Sequence, residues 1–191
     1  TSRRQRQMCI RDRFKSLPNI AEGDELAINV GSNCYFTSDI SNLTWLPDQP
    51  YTAGGWGYIG GKAHSTTSEI YNTLDGPIYQ TWREGNWSYK IDAPIGEYEI
   101  ELLIADVTKP AAQLANLLNK NKEEKHSGET RFHISICGKQ VETNFSPIDG
   151  GKHRTAFKRR YIIRNEHDHI VISAGAVKGE PFLAGIKVRK L

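Results

Sequence analysis

Hydrophobic and polar residues alternate along much of this chain, and the alternation has the period of a β-strand. Gly96 opens the clearest run. Tyr98, Ile100, Leu102 and Ile104 share one face, and Glu97, Glu99 and Glu101 share the other. Asn86 to Ile91 alternates just as cleanly, with Trp87, Tyr89 and Ile91 on one face and Asn86, Ser88 and Lys90 opposite. Arg131 to Val141 reads as a hairpin: Phe132, Ile134 and Ile136 share a face, and Gly138-Lys139 supplies the turn. Residues 27–30, 161–163, 169–172 and 182–188 complete the strands. Residues 41–76 are rich in Gly, Pro, Ser, Thr and aromatics and carry no period. Only residues 110–122, PAAQLANLLNKNK, have helical spacing, through Ala111, Leu114, Leu117 and Leu118, with Pro110 suited to a first turn. Short strands separated by turn signals predict an all-β, antiparallel β-sandwich of jelly-roll type, with one short helical insertion near 110–122.

Length and charge divide the chain further. A chain of 191 residues makes one domain, or one domain plus tails, and can bury a real core. No run approaches the roughly 20 apolar residues of a membrane helix, and no secretory signal pattern is visible. The net charge of +3 comes from one end. Residues 1–13 hold five arginines and one aspartate, and the remainder carries one more acid than base. The stretch RQRQMCIRDR resembles translated adapter read-through, so residues 1–13 are read as an artefactual or disordered leader. Residues 14–25 form a polar, proline-containing linker, and residues 26–191 form the domain. Of the cysteines, Cys9 falls in the leader. Cys34 and Cys137 are expected to be half-buried thiols, although a pair between them stays open. Their spacing fits neither a disulfide scaffold nor a structural zinc site.

The ordered segments AINVG, GGWGYIGG, IYQTWREGNWSYKIDAPIGEYEIELLIAD, RFHISICGKQV and PFLAGIKVRKL resemble malectin-like domains over about residues 26–191. That resemblance implies a galactose-binding-like, malectin-like β-sandwich that binds carbohydrate. It also implies a place at the C-terminus of a bacterial family 2 glycoside hydrolase, such as the β-galactosidase-like enzymes of gut Bacteroidetes. The linker and LPDQPYTAGGWGYIGG resemble that enzyme-appended subgroup. A periplasmic or extracellular location follows from the resemblance alone.

Sugars present flat C–H faces and hydroxyl rims, so their sites need exposed aromatic rings with amide or carboxylate partners at the edges. Trp45, Tyr51, Trp56 and Tyr58 lie among glycines in the 45–61 loop. Trp56 and Tyr58 are candidates to face ligand; the alternative is that they anchor the loop. Trp82 lies near a strand end beside Glu84 and Gly85. Arg83 is read as structural support, gripping a carboxylate or carbonyls. Trp87 and Tyr89 belong to the apolar stripe and the core. Compared with malectin's ligand set, Tyr58 matches the first tyrosine. Glu84 stands at the second tyrosine, Thr108-Lys109 at an aromatic pair, and Gly179 at an aspartate, with Glu180 adjacent. The family's diglucoside specificity is therefore not carried over. The expected carbohydrate site is Trp56, Tyr58, Trp82 and Glu180, at the loop end where 54–61, 82–85 and 179–181 converge.

Catalysis has no supporting pattern. Asp75, Glu84, Asp106 and Glu180 show no spacing that pairs them as glycosidase acids. His167-Asp168-His169 reads as a surface turn rather than a metal site. Residues 152–164 hold six lysines and arginines, read as a solvated face or a surface docked on an acidic neighbour rather than a nucleic-acid stripe. The expectation is a non-catalytic carbohydrate-binding accessory module with no cofactor and no metal. Its partners would be a glycan and the catalytic domains of its own glycoside hydrolase, with neither nucleic acid nor membrane. The alternative is a structural sandwich that packs on those domains and binds no sugar.

Overall fold

The computed structural model describes residues 23–107, 130–147 and 153–191. The leader 1–13, most of the linker and the helical insertion at 110–122 lie outside the described residues.

Twelve strands among the described residues pack as two facing sheets. The first contains β1 (Glu25–Asn29), β2 (Phe36–Thr37), β3 (Thr44–Pro47), β6 (Gly96–Ala105), β9 (Ala156–Asn165) and β12 (Gly185–Lys190), in the order β2-β3-β1-β12-β6-β9. The second contains β4 (Trp56–Ser65), β5 (Thr81–Asp92), β7 (Arg131–Ile136), β8 (Lys139–Phe145), β10 (His169–Lys178) and β11 (Phe182–Leu183), in the order β11-β5-β10-β7-β8, with β4 also paired to β5. Pairing is antiparallel except between β1 and β3. The chain is thus a β-sandwich, as the alternation predicts. The 41–76 stretch is more ordered than its composition suggests: it supplies β3 and the ten-residue β4. Among the described residues there is one turn of helix, α1 (Gly76–Tyr79), with Pro77 in its first turn.

The inner faces meet as the apolar stripes require. Ile100, Leu102 and Ile104 of β6, Trp87, Tyr89 and Ile91 of β5, and Phe132 and Ile134 of β7 are all at most 2% exposed. Phe132 packs edge-on to Phe145 and tilted to Phe182.

The outer face of the first sheet corrects the sequence reading. Strand alternation puts Glu99 and Glu101 opposite the core, yet they are only 8% and 3% exposed. The long stems of their cationic partners cover them. Glu101 lies 3.2 Å from Lys158 Nζ and 3.1 Å from Arg160 Nη2, and Glu99 lies 3.4 Å from Arg189 Nη2. Burial works to raise the Glu101 pKa, but Lys158, Arg160 and Lys187 outweigh it and hold the carboxyl below its usual range. The segment around α1 covers the same face. A Cβ on Gly185 would come within 3.2 Å of both Ile78 Cγ2 and Trp45 Cζ3.

The same register dissolves the basic run. Lys158 and Arg160 point outward to Glu101. Arg159 points inward, 3.6 Å from Glu142, with its guanidinium 5.3 Å from the Phe145 ring centre. These residues form no continuous basic stripe. The histidine pair sits at the β9–β10 turn, where Asp168 holds His169 Nδ1 at 2.6 Å. Among the described residues, no three His, Cys, Asp or Glu side chains group as a metal site. Cys137, at the β7–β8 turn of the second sheet, is a free thiol. Cys34 precedes β2 in the first sheet and is disulfide-bonded, which corrects the expectation of a second free thiol. Its disulfide is not to Cys137.

Candidate functional site

The candidate site is built on β4 and β5. From Trp56 to Gly60 the two strands run in step, with Trp56 opposite Ile91, Tyr58 opposite Tyr89 and Gly60 opposite Trp87. The register then shifts, and Lys62 and His64 stand opposite Glu84 and Trp82. Two glycines make the shift possible. A Cβ on Gly60 would sit 2.4 Å from the Asn86 carbonyl oxygen, and one on Gly61 would sit 2.8 Å from Arg83 Cγ and 2.9 Å from Trp87 Cβ. Both also take the left-handed backbone that glycine tolerates, with φ of 76° and 67°.

On the inner side of this shift lies a buried polar node. Asp48 accepts two bonds from Arg83, at 3.1 Å from Nε and 2.8 Å from Nη2. It also accepts the Gly31 N–H at 2.8 Å and the Tyr89 hydroxyl at 3.0 Å. Arg83 donates further to the carbonyls of Gly60 and Gly61, and its guanidinium carbon lies 3.3 Å from the Tyr58 ring centre. Burial pushes the Asp48 carboxyl up against the pull of Arg83 and Gly31. For Arg83, burial works downward, but the bond and charge of Asp48 prevail and hold the guanidinium up. With these donors converging on one carboxylate, the pair is charged at neutral pH. Burial, then the Asp48 charge, pushes the Tyr89 hydroxyl well up as well.

On the outer side lies a hollow of about 520 Å³, lined by Lys62, His64, Glu84, Asn86 and Glu180 with Gly61 and Gly85. Trp82 backs it. The His64 ring stacks on the Trp82 ring at 5.6 Å between centres and 20° between planes. Trp82 Nε1 donates to Glu84 Oε2 at 3.3 Å, and His64 Nε2 lies 3.6 Å from the same oxygen. β11 brings in the last member. Phe182 pairs with Glu84, and Gly85 N–H donates to the Pro181 carbonyl at 2.9 Å, so Glu180 lies alongside Gly85.

The expected site residues thus divide. Trp82 and Glu180 come together from segments almost one hundred residues apart, and Glu84, which was not among the expected site residues, joins them. Trp56 is 3% exposed, within the core. Tyr58 is half-buried with Arg83 against its ring, and neither it nor Trp56 lines the hollow. Arg83 grips the Asp48 carboxylate and the carbonyls of Gly60 and Gly61. Lys62, His64 and Asn86 were not among the sequence candidates. The signal for the first two was the continuation of β4 past its glycine pair, where Lys62 and His64 fall on one face.

Chemically, the hollow offers two carboxylates as acceptors, an ammonium and an amide as donors, and a flat ring stack as a wall. This is the equipment of a site that recognises hydroxyl-rich molecules on a rigid β-scaffold. The chain belongs to the malectin-domain family, whose profile matches residues 25–186. It is similar to a segment of two solved structures from Bacteroides uniformis. One is β-glucuronidase 2 covalently bound to cyclophellitol-6-carboxylate aziridine, with 45% identity, a TM-score of 0.76, and coverage of 88% of this chain and 18% of that one. The other is a β-glucuronidase with 46% identity, a TM-score of 0.74, and coverage of 87% and 18%. The ANXUR1 extracellular domain from Arabidopsis thaliana shares the fold, with 17% identity, a TM-score of 0.60, and coverage of 85% and 47%. Among curated proteins, the kinesin-like protein KIN-14E of Oryza sativa subsp. japonica is 28% identical over 136 residues, which are 70% of this chain and 12% of that protein. The chain therefore spans less than a fifth of the β-glucuronidases it matches.

Proposed function

We propose that this domain is a non-catalytic carbohydrate-binding accessory module of a bacterial glycoside hydrolase, and that the hollow on β4, β5 and β11 is its glycan site. One observation carries the reading: Glu84 and Glu180 meet in one hollow beside the His64–Trp82 stack. A pyranose ring lies against the exposed His64 face, with the carboxylates accepting from its hydroxyls and Lys62 and Asn86 donating to them. No catalytic residue, metal or cofactor enters this reading. The hydrolase would supply the chemistry from its other domains, in the periplasm or outside the cell. The β-glucuronidase neighbours favour a parent that acts on glycosides, of β-glucuronidase or β-galactosidase type.

A glycan array followed by titration calorimetry on the full chain tests the proposal. A glycan should bind, and Glu180→Gln should weaken it by about 1–2 kcal/mol, the loss expected for a charge-assisted hydrogen bond. Unchanged affinity in a folded Glu180→Gln protein would move the site elsewhere. One observation favours the second reading, a structural sandwich that packs on its hydrolase: Trp56 and Tyr58 of β4 are committed to the core and to Arg83. If no glycan binds at any concentration tested, that reading takes over.

A further inference from the structure

Strand β9 ends the first sheet and has β6 as its only strand partner among the described residues. Backbone groups of successive residues point to opposite sides of a strand. In β6, the Glu97 carbonyl accepts from Leu191 N–H at 2.9 Å and the Leu103 carbonyl accepts from Ala184 N–H at 3.0 Å, so the odd-numbered residues of β6 face the β12 side. The even-numbered ones face β9, where their partners are Phe157, Arg159, Tyr161, Ile163 and Asn165. The N–H and C=O groups of Ala156, Lys158, Arg160, Ile162 and Arg164 therefore point to the open edge. Ala156 has the same parity: its N–H donates to the Tyr71 carbonyl at 2.9 Å, and its carbonyl accepts from Asn72 Nδ2 at 3.0 Å. Tyr71 runs parallel to Thr155 and so begins a further strand on this edge. Asn72 then takes the left-handed backbone, with φ of 61°, and turns the chain away. Among the described residues, nothing else bonds to the backbone of 158–164 on that side.

We infer that the open edge of β9 takes an extended, acidic polypeptide segment as a further strand of the first sheet. The backbone supplies the binding, and the side chains select the partner. Strand β9, AFKRRYIIRN, holds four cations and no acid. The side chains of the open positions Lys158, Arg160, Ile162 and Arg164 are all exposed. Arg160 divides between Glu99 and Glu101, and the same two glutamates also face Arg189 and Lys158. Each of these carboxylates is thus shared between two cations, and Lys158 and Arg160 keep donors for an acid on an added strand. Acids opposite Lys158, Arg160 and Arg164 gain cross-strand attraction, and an apolar residue opposite Ile162 covers a side chain that is 69% exposed.

The same charges exclude a second copy of this chain as the occupant. Every antiparallel register that joins the open groups of two copies over most of β9 puts cation against cation, with Lys158 or Arg160 opposite Arg160 or Arg164. Charges on an edge strand keep like strands away in this manner, and they attract a strand of opposite sign. This inference does not rest on the hollow proposed above, which lies on the other sheet.

Amide hydrogen exchange of the ¹⁵N-labelled full chain, read by NMR, tests the inference. The probes are the synthetic peptides ETVTETE and ETETVTE, which place glutamates opposite Lys158, Arg160 and Arg164 and valine opposite Ile162 in antiparallel and parallel order. The peptide KTVTKTK is the charge-reversed control. Without peptide, the amides of Lys158, Arg160, Ile162 and Arg164 should exchange fast, and those of Arg159, Tyr161 and Ile163, bonded to β6, should exchange slowly. Saturating acidic peptide should slow the four open amides by about tenfold or more, and the control should not. Ile162→Pro removes one open N–H and leaves the bonds to β6, and Arg164→Glu reverses one charge. Each should weaken binding of the acidic peptide by about tenfold in Kd. Should the proline variant misfold, Arg164→Glu alone decides. No added protection at millimolar peptide, equal protection by KTVTKTK, protection confined to the β4 or β8 edge, or an unchanged Kd in folded Arg164→Glu protein would each overturn the inference.

Discussion

Replacing Glu101 by glutamine separates charge from packing on the outer face of β6. The side chain keeps its size and an acceptor oxygen but loses its charge. Glu101 is 3% exposed and is held by Lys158 at 3.2 Å and Arg160 at 3.1 Å. A hydrogen bond to a charged group is worth about 1.5–3 kcal/mol where it is buried. The two cationic side chains are 56% and 60% exposed, which brings each contact towards the surface value of about 0.2–1 kcal/mol. The variant should therefore lose about 1–2 kcal/mol at pH 7, a fall of about 2–8 °C in Tm for a domain of this size. The pH dependence identifies the cause. The folded-state pKa of Glu101 lies below its usual value, so its contribution is fully present above the unfolded pKa and is lost as pH falls through the folded one. Urea unfolding of both proteins from pH 7 down to pH 3 should show a difference that opens at neutral pH and closes in acid. Leu102→Ala, on the inner face of the same strand, should cost about 2–5 kcal/mol at every pH. A Glu101→Gln difference that persists unchanged into acid would mean that packing, not charge, stabilises this face. A difference near zero at pH 7 would mean that the face is solvated after all, as alternation by itself implies.

Two other substitutions probe the frame under the hollow. Asp48→Ala leaves Arg83 buried with no counter-charge and should cost about 3–5 kcal/mol, the range for breaking one side of a buried ion pair, read by denaturant unfolding. Gly60→Ala places a Cβ 2.4 Å from the Asn86 carbonyl oxygen at a φ of 76° and should lose about 1–3 kcal/mol, with the largest NMR shifts at Asn86 and Trp87.

Much of the fold was legible because one face of each long strand is apolar. The stripe Tyr98, Ile100, Leu102, Ile104 and the stripe Trp87, Tyr89, Ile91 are core in the structure as in the pattern. Two things were not legible. Alternation marks Glu99 and Glu101 as facing away from the core, but it does not say what lies over them; arginine and lysine stems and the α1 segment cover that face. Periodicity also failed in residues 41–76, where glycines at the register shift interrupt β4 and make a strand look like a loop. The same holds for Trp56 and Tyr58: aromatic rings among glycines suggest an exposed loop, but in a strand paired to β5 they align with Ile91 and Tyr89.

The register shift explains how one short stretch serves both core and site. Side chains alternate along a strand, so neighbours in sequence face opposite ways. Arg83 turns inward to Asp48, and Trp82 and Glu84 turn outward to His64 and the hollow. Past the shift, β5 returns Trp87 and Tyr89 to the inner face, where Tyr89 donates to the same Asp48. The polar node fixes the backbone of β4 and β5 from below, through bonds to the carbonyls of Gly60 and Gly61, without using any side chain that a ligand would touch. Positions 62, 64, 84 and 180 are therefore free to vary chemically while the scaffold beneath them stays fixed. If the hollow is the binding site proposed above, that separation would let its chemistry change without disturbing the sandwich.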